Sequence, residues 1–152
     1  MKLRRLRPCK EDFEVLAAFL TTYFADEFEM GKLSAKHYDV VKGAAWLVNN
    51  LECAAWVVED DVEGVVGSIG LHKTAPWYSN EPYLADGWLY VRPEFRKNRT
   101  GSVLVGAAMQ FAEDAKLPLV VNVFNMEDAE VKIKALKRMG LNFIGGTFIA
   151  GE

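Results

Sequence analysis

Cysteine and histidine are scarce in this 152-residue chain. Its two cysteines, Cys9 and Cys53, belong to no Cys-x-x-Cys pair and to no Cys/His cluster, so the sequence predicts neither a disulfide framework nor a metal site. The lack of disulfides favours the cytoplasm as the compartment. His37 and His72 are isolated from each other, which is more typical of structural than of catalytic histidines.

Long apolar runs are also absent. No segment reaches the roughly 20 apolar residues of a membrane span, and no apolar stretch with a cleavage site follows the basic start. The 18 basic and 21 acidic side chains give a net charge of -3, which excludes a broad basic surface for nucleic acid or an anionic membrane. No GxxxxGK[ST] sequence is present, so a phosphate-loop nucleotide-binding protein fits poorly.

The length predicts a single domain over residues 1–152. About half of the chain is apolar, 51% of its residues, which suffices for one sizeable core. There is no internal repeat, and apolar spacing switches between helical and extended periods. Helical spacing predicts helices at 11–24, from Ser34 onwards, at 101–116 and at 127–139. Alternating or β-branched runs predict strands at 2–7, 54–59, 65–72, 85–91, 118–124 and 142–150.

This order of elements is typical of the α/β class, with a mixed sheet covered by helices. Strands 54–59 and 65–72 read as a hairpin, because acidic residues and a glycine separate them. The apolar stripe of helix 101–116 consists of Leu104, Ala108, Phe111 and Ala115. The irregular segment 73–83 is long enough to border a substrate pocket. Its aromatics, Trp77, Tyr78 and Tyr83, either shape that pocket or cover the sheet.

The turn at 93–100 joins a predicted strand to a predicted helix and is basic. A helix N-terminus presents unpaired N–H groups and the positive end of a dipole, which together suit a diphosphate. Arg96, Lys97 and Arg99 add positive charge, and Gly101 permits close approach of the backbone. The alternative is a basic turn that is merely solvated. The elements on both sides favour the phosphate-binding interpretation.

Val91, Pro93, Arg96 and Gly101 match the pattern V-x-P-x-x-R-x-x-G-x-G, so the segment 89–115 resembles the acetyl-CoA motif of the GNAT family of N-acetyltransferases. The resemblance continues with Asn125 and segment 134–149, which are similar to the family's N…A-x-x-L-Y-x-x-x-G-F region. Together these regions cover about half of the chain. Its compact size and closing GGTFI are similar to phage-encoded members.

The resemblance implies a mixed, mainly antiparallel sheet flanked by about four helices, with acetyl-CoA as cosubstrate. It also implies that the strand ending near Phe124 diverges from the strand before it and leaves a cleft for the pantetheine arm. Two positions depart from the family pattern: Arg99 replaces the first loop glycine, and Leu136 replaces the tyrosine that usually acts as general acid. The implied cofactor contacts are Leu89, Tyr90, Val91, Arg96, Lys97, Asn98, Arg99, Thr100, Gly101, Ser102 and Asn125. For Asn125, helix capping is an equal alternative.

Direct attack of an amine on the thioester, as the resemblance implies, needs a group that takes a proton from the ammonium. Asp86 is the first candidate base, because it precedes the cofactor turn on the same strand; the alternative is a structural strand-entry aspartate. Glu81 is the second candidate. Tyr90, Tyr83 or water is left to protonate the thiolate.

Two functions therefore remain open at the level of sequence. The first is transfer of an acetyl group from acetyl-CoA to a primary amine of a small molecule or peptide. The second is a non-catalytic acyl-CoA-binding or protein-interaction module on the same fold. The acceptor is not identified by the sequence, and either a monomer or a homodimer is expected, with neither nucleic acid nor a membrane as partner.

Overall fold

A computed structural model describes residues 1–24, 54–123 and 129–145 of the chain. Its strands are β1 (Lys2–Arg5), β2 (Ala54–Asp60), β3 (Gly64–Thr74), β4 (Tyr83–Val91) and β5 (Leu119–Val120). Its α-helices are α1 (Lys10–Phe19), α2 (Thr100–Ala115) and α3 (Ala129–Arg138), with a π-helical turn at Leu20–Phe24 and a 3-10 turn at Pro93–Phe95. No helix among these residues is long and apolar enough to cross a membrane.

The five strands form one sheet in the order β1-β2-β3-β4-β5. The first four strands pair antiparallel, and β5 alone pairs parallel, to β4. This is the mixed, mainly antiparallel sheet that the family resemblance implies. The predicted hairpin is confirmed as β2 and β3, whose turn contains Gly64 at a φ of +70°.

The sheet buries both of its faces. On one face, Trp56, Val66 and Ile69 pack with Leu104 and Ala108 of α2. On the other face, a second cluster joins the sheet to α1, and its buried members are Leu6, Leu16, Phe19, Leu20, Ala55, Val57, Trp88 and Tyr90. Alternation along β4 therefore sends Trp88 and Tyr90 toward α1, whereas Leu89 and Val91 pack on the α2 side.

Several predicted elements end at other residues in the structure. The helix predicted at 11–24 is α-helical only from Lys10 to Phe19 and continues as the π-helical turn. The stripe of α2 is completed by buried Ala112, while Ala115 is exposed. Helix α3 lies within the range predicted at 127–139, and Gly140 follows it at a φ of +96°, a conformation that commonly ends a helix.

The strand predicted at 118–124 is paired only at Leu119–Val120. For the strand predicted at 142–150, residues 142–145 are not in a strand, and 146–150 lie outside the described residues. The helix predicted from Ser34, together with His37 and Cys53, also lies outside them. The pairing partner of an extended segment depends on its neighbours, so apolar composition alone does not fix where the pairing ends.

Gly67 fixes how closely α2 approaches the sheet. A Cβ atom at this position would lie 2.9 Å from Thr100 Cγ2, 3.1 Å from Leu104 Cδ1 and 3.3 Å from the Tyr90 carbonyl oxygen. The missing side chain lets the first turn of α2 rest directly on β3. The start of α2 is therefore held next to the end of β4, where the basic turn connects them.

Candidate active site

The basic turn begins where β4 ends. Arg96 folds back on this strand: its Nε donates a hydrogen bond to the Val91 carbonyl oxygen (2.9 Å), and its guanidinium lies 5.6 Å from the centroid of the Tyr90 ring. Lys97 and Arg99 are exposed. The turn thus keeps two cations in solvent while a third fixes its backbone.

The side chain of Asn98 forms an Asx turn directly before α2, whose N-cap residue is Arg99. Asn98 Oδ1 accepts hydrogen bonds from the backbone N–H and the hydroxyl group of Thr100, the first helical residue. The next N–H groups, of Gly101 and Ser102, belong to the first helical turn, which has no partners within its own helix. Among the described residues, an added Cβ at Gly101 would meet only Val91 Cγ2, at 3.9 Å. A helix start with space and exposed cations beside it is an arrangement that suits a diphosphate.

Arg99 adopts ordinary backbone geometry at the position of the family's loop glycine. Its φ is -79° and its ψ is 6°. Among the described residues, Lys116 is the only one other than glycine with a positive φ. The arginine is therefore accommodated without left-handed strain, and it adds a positive charge that glycine would not supply.

The β4 and β5 strands separate at the middle of β4. Their parallel pairing comprises Leu84 with Leu119 and Ala85 with Val120, and within the described residues β5 pairs with no later residue of β4. A place where two strands diverge in this way is where the amides of an extended ligand can pair with a strand edge. The family resemblance implies that β5 diverges from β4, and residues 121–123 accordingly do not pair with β4. Asn125 lies outside the described residues.

Asp86 lies at the point of divergence. Its Oδ1 accepts hydrogen bonds from the backbone N–H (3.0 Å) and the side-chain Nδ2 (2.7 Å) of Asn122. Burial raises the pKa of this carboxyl above its ordinary value, and the bonds from Asn122 offset part of the rise. A β-bulge follows, because Asp86 pairs with Leu71 and Trp88 with Gly70, which leaves Gly87 as the extra residue.

Glu81 is not brought to Asp86. It is exposed on the loop before β4 and lines an open groove of about 520 Å³ with Tyr78, Tyr83 and Lys116. This groove lies at the Tyr83 end of β4, and the basic turn lies at the other end, about 26 Å away along an eight-residue rise. The groove is therefore separate from the basic turn. Trp77 and Tyr78 project outward beside it, 96% and 75% exposed.

The other candidate proton donors differ in accessibility. Tyr90 is 7% exposed, and its ring packs 5.8 Å from that of Phe19 beneath α1, which makes it mainly a packing residue of the core. Tyr83 is half-buried at the groove. Leu136 is half-buried on α3 and has no proton to donate. Within the described residues, no group of three His, Cys, Asp or Glu side chains is arranged to hold a metal ion.

Sequence reasoning missed Asn122 and Arg92. Asn122 interrupts the apolar run at 119–124, and a polar residue there was the available signal of a special role. Arg92 is 8% exposed and pairs with Glu63 and Glu94. Nothing in its local sequence distinguishes it from Arg96 and Arg99 of the basic turn.

The family model for the acetyltransferase (GNAT) family matches residues 16–140 of the chain. None of the curated proteins compared by sequence matches it. Among solved structures, an aminoglycoside acetyltransferase from an uncultured soil metagenomic sample, in complex with trehalose, is 19% identical with a TM-score of 0.70, over 99% of this chain and 95% of its own.

Two further structures share the architecture. AAC(6')-Iy in complex with the bisubstrate analogue CoA-S-monomethyl-acetylneamine is 11% identical with a TM-score of 0.67, over 99% of this chain and 97% of its own. The ribosomal-protein-alanine N-acetyltransferase from Brucella melitensis biovar Abortus 2308 is 14% identical with a TM-score of 0.66, over the full length of both chains. Such low identities show a common fold alone. Because the family model spans residues 16–140, the chain belongs to the GNAT family of acetyltransferases.

Proposed function

We propose that this protein is an N-acetyltransferase that transfers the acetyl group of acetyl-CoA to a primary amine by direct attack. The observation that carries the proposal is the helix start at Gly101 and Ser102, with exposed cations beside it, at the end of a strand from which β5 diverges within the described residues. Phosphates at the helix start and pantetheine amides along 87–91 would align the thioester toward Asp86. The cofactor contacts remain those named from the sequence, Asn125 included.

Asp86 is the proposed base. The acceptor ammonium loses a proton to this carboxylate, the amine nitrogen forms a bond to the acetyl carbon, and the carbon–sulfur bond breaks. The sulfur leaves as a thiolate, which is a stable leaving group near neutral pH. The nitrogen loses its second proton as it becomes an amide, and water or Tyr83 passes that proton to the thiolate. The raised pKa of Asp86 supports this role, because a base works best when its pKa approaches the working pH.

The acceptor is proposed to enter from the loop before β4. The groove formed by Tyr78, Tyr83 and Glu81 begins three residues before Asp86. Aromatic faces and a carboxylate suit an ammonium or a sugar ring. One of the similar structures is an aminoglycoside acetyltransferase, and another is bound to a bisubstrate analogue of acetylneamine, which supports amino sugars as the first acceptors to test.

The second candidate function is a non-catalytic acyl-CoA-binding module. It is favoured by one observation, Leu136, which offers no proton where the family usually has a tyrosine. Both of these candidates bind acyl-CoA, so they differ only in turnover, whereas a protein-interaction module on the same fold would need no CoA.

Calorimetric titration with CoA tests the cofactor claim. We expect binding by the unaltered chain and weaker binding by Gly101→Val, since the new side chain would fill the open space that the phosphates need. Ser102→Ala serves as control, because it keeps the backbone N–H. No heat and no thermal shift at millimolar CoA would remove both candidate functions.

A further inference from the structure

Arg92 connects two parts of the chain that are distant in sequence. Its Nη2 donates to the carboxylates of Glu63 (3.1 Å) and Glu94 (2.8 Å), and its guanidinium lies 5.4 Å from the centroid of the Phe95 ring. Its backbone N–H donates to the Val66 carbonyl oxygen (2.9 Å). The side chain is 9% exposed, which is rare for an arginine unless it is paired. Arg92 thus joins the β2–β3 hairpin to the first residues of the basic turn.

The hairpin end of this connection is itself fixed. Asp60 Oδ1 accepts hydrogen bonds from the backbone N–H groups of Val62 (3.0 Å) and Glu63 (3.2 Å). Gly64 closes the turn with a φ of +70°, a conformation that other residues rarely adopt. Glu63 is therefore presented to Arg92 from a rigid turn.

The charge of Arg92 is already balanced by two carboxylates, so it adds little positive potential for a phosphate. Arg92 instead fixes the position of the backbone at the start of the basic turn. Pro93 to Phe95 form a 3-10 turn directly after it, and Arg96 follows. A loop that must meet a diphosphate with backbone N–H groups loses affinity when it has to be ordered on binding.

We infer that Arg92, braced by Glu63, is a positioning residue that pre-organises the basic turn for the cofactor. The inference rests on the proposed binding of CoA at that turn. It assigns the β2–β3 hairpin, which does not belong to the basic turn, a part in cofactor affinity.

The Glu63→Gln variant distinguishes positioning through the Arg92–Glu63 ion pair from a simple charge effect, because the two predict opposite changes in CoA affinity. CoA is strongly anionic, so removing a negative charge near its site would by itself strengthen binding. Loss of the brace would weaken binding instead, by about two- to fivefold for a partly exposed ion pair. We expect weaker binding of CoA by Glu63→Gln in calorimetry, although the variant is less negative.

Asp61→Asn is the matched control. Asp61 is an exposed acid in the same hairpin turn, and its substitution removes the same charge. We expect unchanged or slightly tighter CoA binding by this variant. An equal loss of CoA affinity in both variants, or tighter CoA binding by Glu63→Gln, would contradict the positioning role of Arg92 and Glu63.

Arg92→Gln extends the test to turnover. CoA affinity should fall by about tenfold or more, because two carboxylates lose their partner beside an anionic ligand. The rate at saturating acetyl-CoA should change less than twofold, and Arg92→Lys should restore part of the affinity. Thermal melts check folding; if Arg92→Gln does not fold, Glu63→Gln decides alone. Absence of CoA binding by the unaltered chain would overturn the proposed function and this inference together, whereas normal binding with an unchanged Glu63→Gln variant would overturn the inference only.

Discussion

Asp86 combines a position suited to a base with hydrogen bonds that suit a structural clamp. Its carboxylate ties Asn122 to β4 at the point where the strands diverge. As a base it must be deprotonated, so turnover should rise with pH through its raised pKa and then level off. We expect Asp86→Asn to lower turnover by about 10²- to 10⁴-fold while CoA affinity in calorimetry stays nearly unchanged.

Asn122→Ala distinguishes the two roles of Asp86. It removes the side-chain hydrogen bond that lowers the pKa of Asp86, so the pKa of this carboxyl should rise further. The rising limb of the pH–rate profile should then move to higher pH. An unmoved limb, together with a lower free energy of unfolding, would leave Asp86 as a clamp and turn attention to Glu81.

Asp12 predicts how stability depends on pH. Burial alone would raise its pKa, but the backbone N–H of Arg7 and the guanidinium groups of Arg4 and Arg7 outweigh it and hold the pKa at about 2. A pKa below the unfolded value of 3.8 stabilises the fold above that pH. The stabilisation should be lost as the pH falls from about 4 to about 2, by roughly 1 to 2 kcal/mol after screening around exposed Arg7.

Urea unfolding at pH 7, 4, 3 and 2 measures this loss. Asp12→Asn should be less stable than the unaltered chain at pH 7 and nearly equal to it at pH 2. Glu14→Gln is the control on the same helix, since its ion pair with Lys10 is exposed and should contribute less than about 0.5 kcal/mol. An equal difference between Asp12→Asn and the unaltered chain at every pH would contradict the assignment.

At the scale of the element, Gly67 sets the contact between α2 and the sheet. Gly67→Ala should displace the start of α2, because the new Cβ would overlap Thr100 and approach the Tyr90 backbone. We expect the free energy of unfolding to fall by about 1 to 3 kcal/mol, with weaker CoA binding as a consequence. Gly106→Ala on the same helix is the control: its Cβ would have nothing within 4 Å, so stability should hold or rise. Equal effects would refute the close-approach argument.

Local patterns predicted most of the elements but not their limits. The hairpin of β2 and β3 was predictable because its turn residues and β-branched strands agree. The end of α1 was not, because helical spacing continues through 20–24 while the backbone widens into a π-helical turn. The pairing of β5 ends at Val120 although its apolar run goes on, since pairing depends on β4 and not on composition.

In the candidate site, too, the local features were predicted from the sequence and the long-range contacts were not. The start of α2 is local, and the sequence predicted a phosphate-binding turn there from residues close in the chain. The Asx turn of Asn98 was missed, although an asparagine two residues before a helix is a recognisable signal. The contact between Asp86 and Asn122 spans 36 positions, and that between Arg92 and Glu63 spans 29. No local pattern encodes such contacts.

At the scale of the whole molecule, the fold is compatible with different acceptors. Structures with TM-scores of 0.66 and 0.67 to this chain include a ribosomal-protein-alanine N-acetyltransferase and AAC(6')-Iy bound to a bisubstrate analogue of acetylneamine. One fold thus occurs in proteins whose names point to chemically different acceptors, so the acceptor of this chain must be found from its site. In this chain, substitutions in the loop with Trp77, Tyr78 and Glu81 are the ones that test which acceptor is bound.

Leu136 decides between an enzyme and a binding module. If the chain is an enzyme, its thiolate is protonated by water or by a tyrosine elsewhere, so turnover should be modest. Leu136→Tyr should accelerate acetyl transfer, by up to about 10²-fold, if the sulfur lies within hydrogen-bond reach of the new hydroxyl. Leu136→Phe is the matched control, because it adds the ring without the proton. Release of free thiol from acetyl-CoA with a panel of amines, amino sugars first, measures both.

Thiol release by the unaltered chain, Leu136→Tyr and Leu136→Phe follows a different pattern for each candidate function. Activity of the unaltered chain with any acceptor rules out the non-catalytic module, and a gain confined to the tyrosine variant assigns general acid catalysis to the hydroxyl. Equal gains for phenylalanine and tyrosine would mean that ring packing on α3 is responsible. The main chain of Leu136 accepts hydrogen bonds from the N–H groups of Met139 and Leu141, and these survive either substitution, so α3 should keep its end. Tight CoA binding with no thiol release from any of the three would favour the binding module.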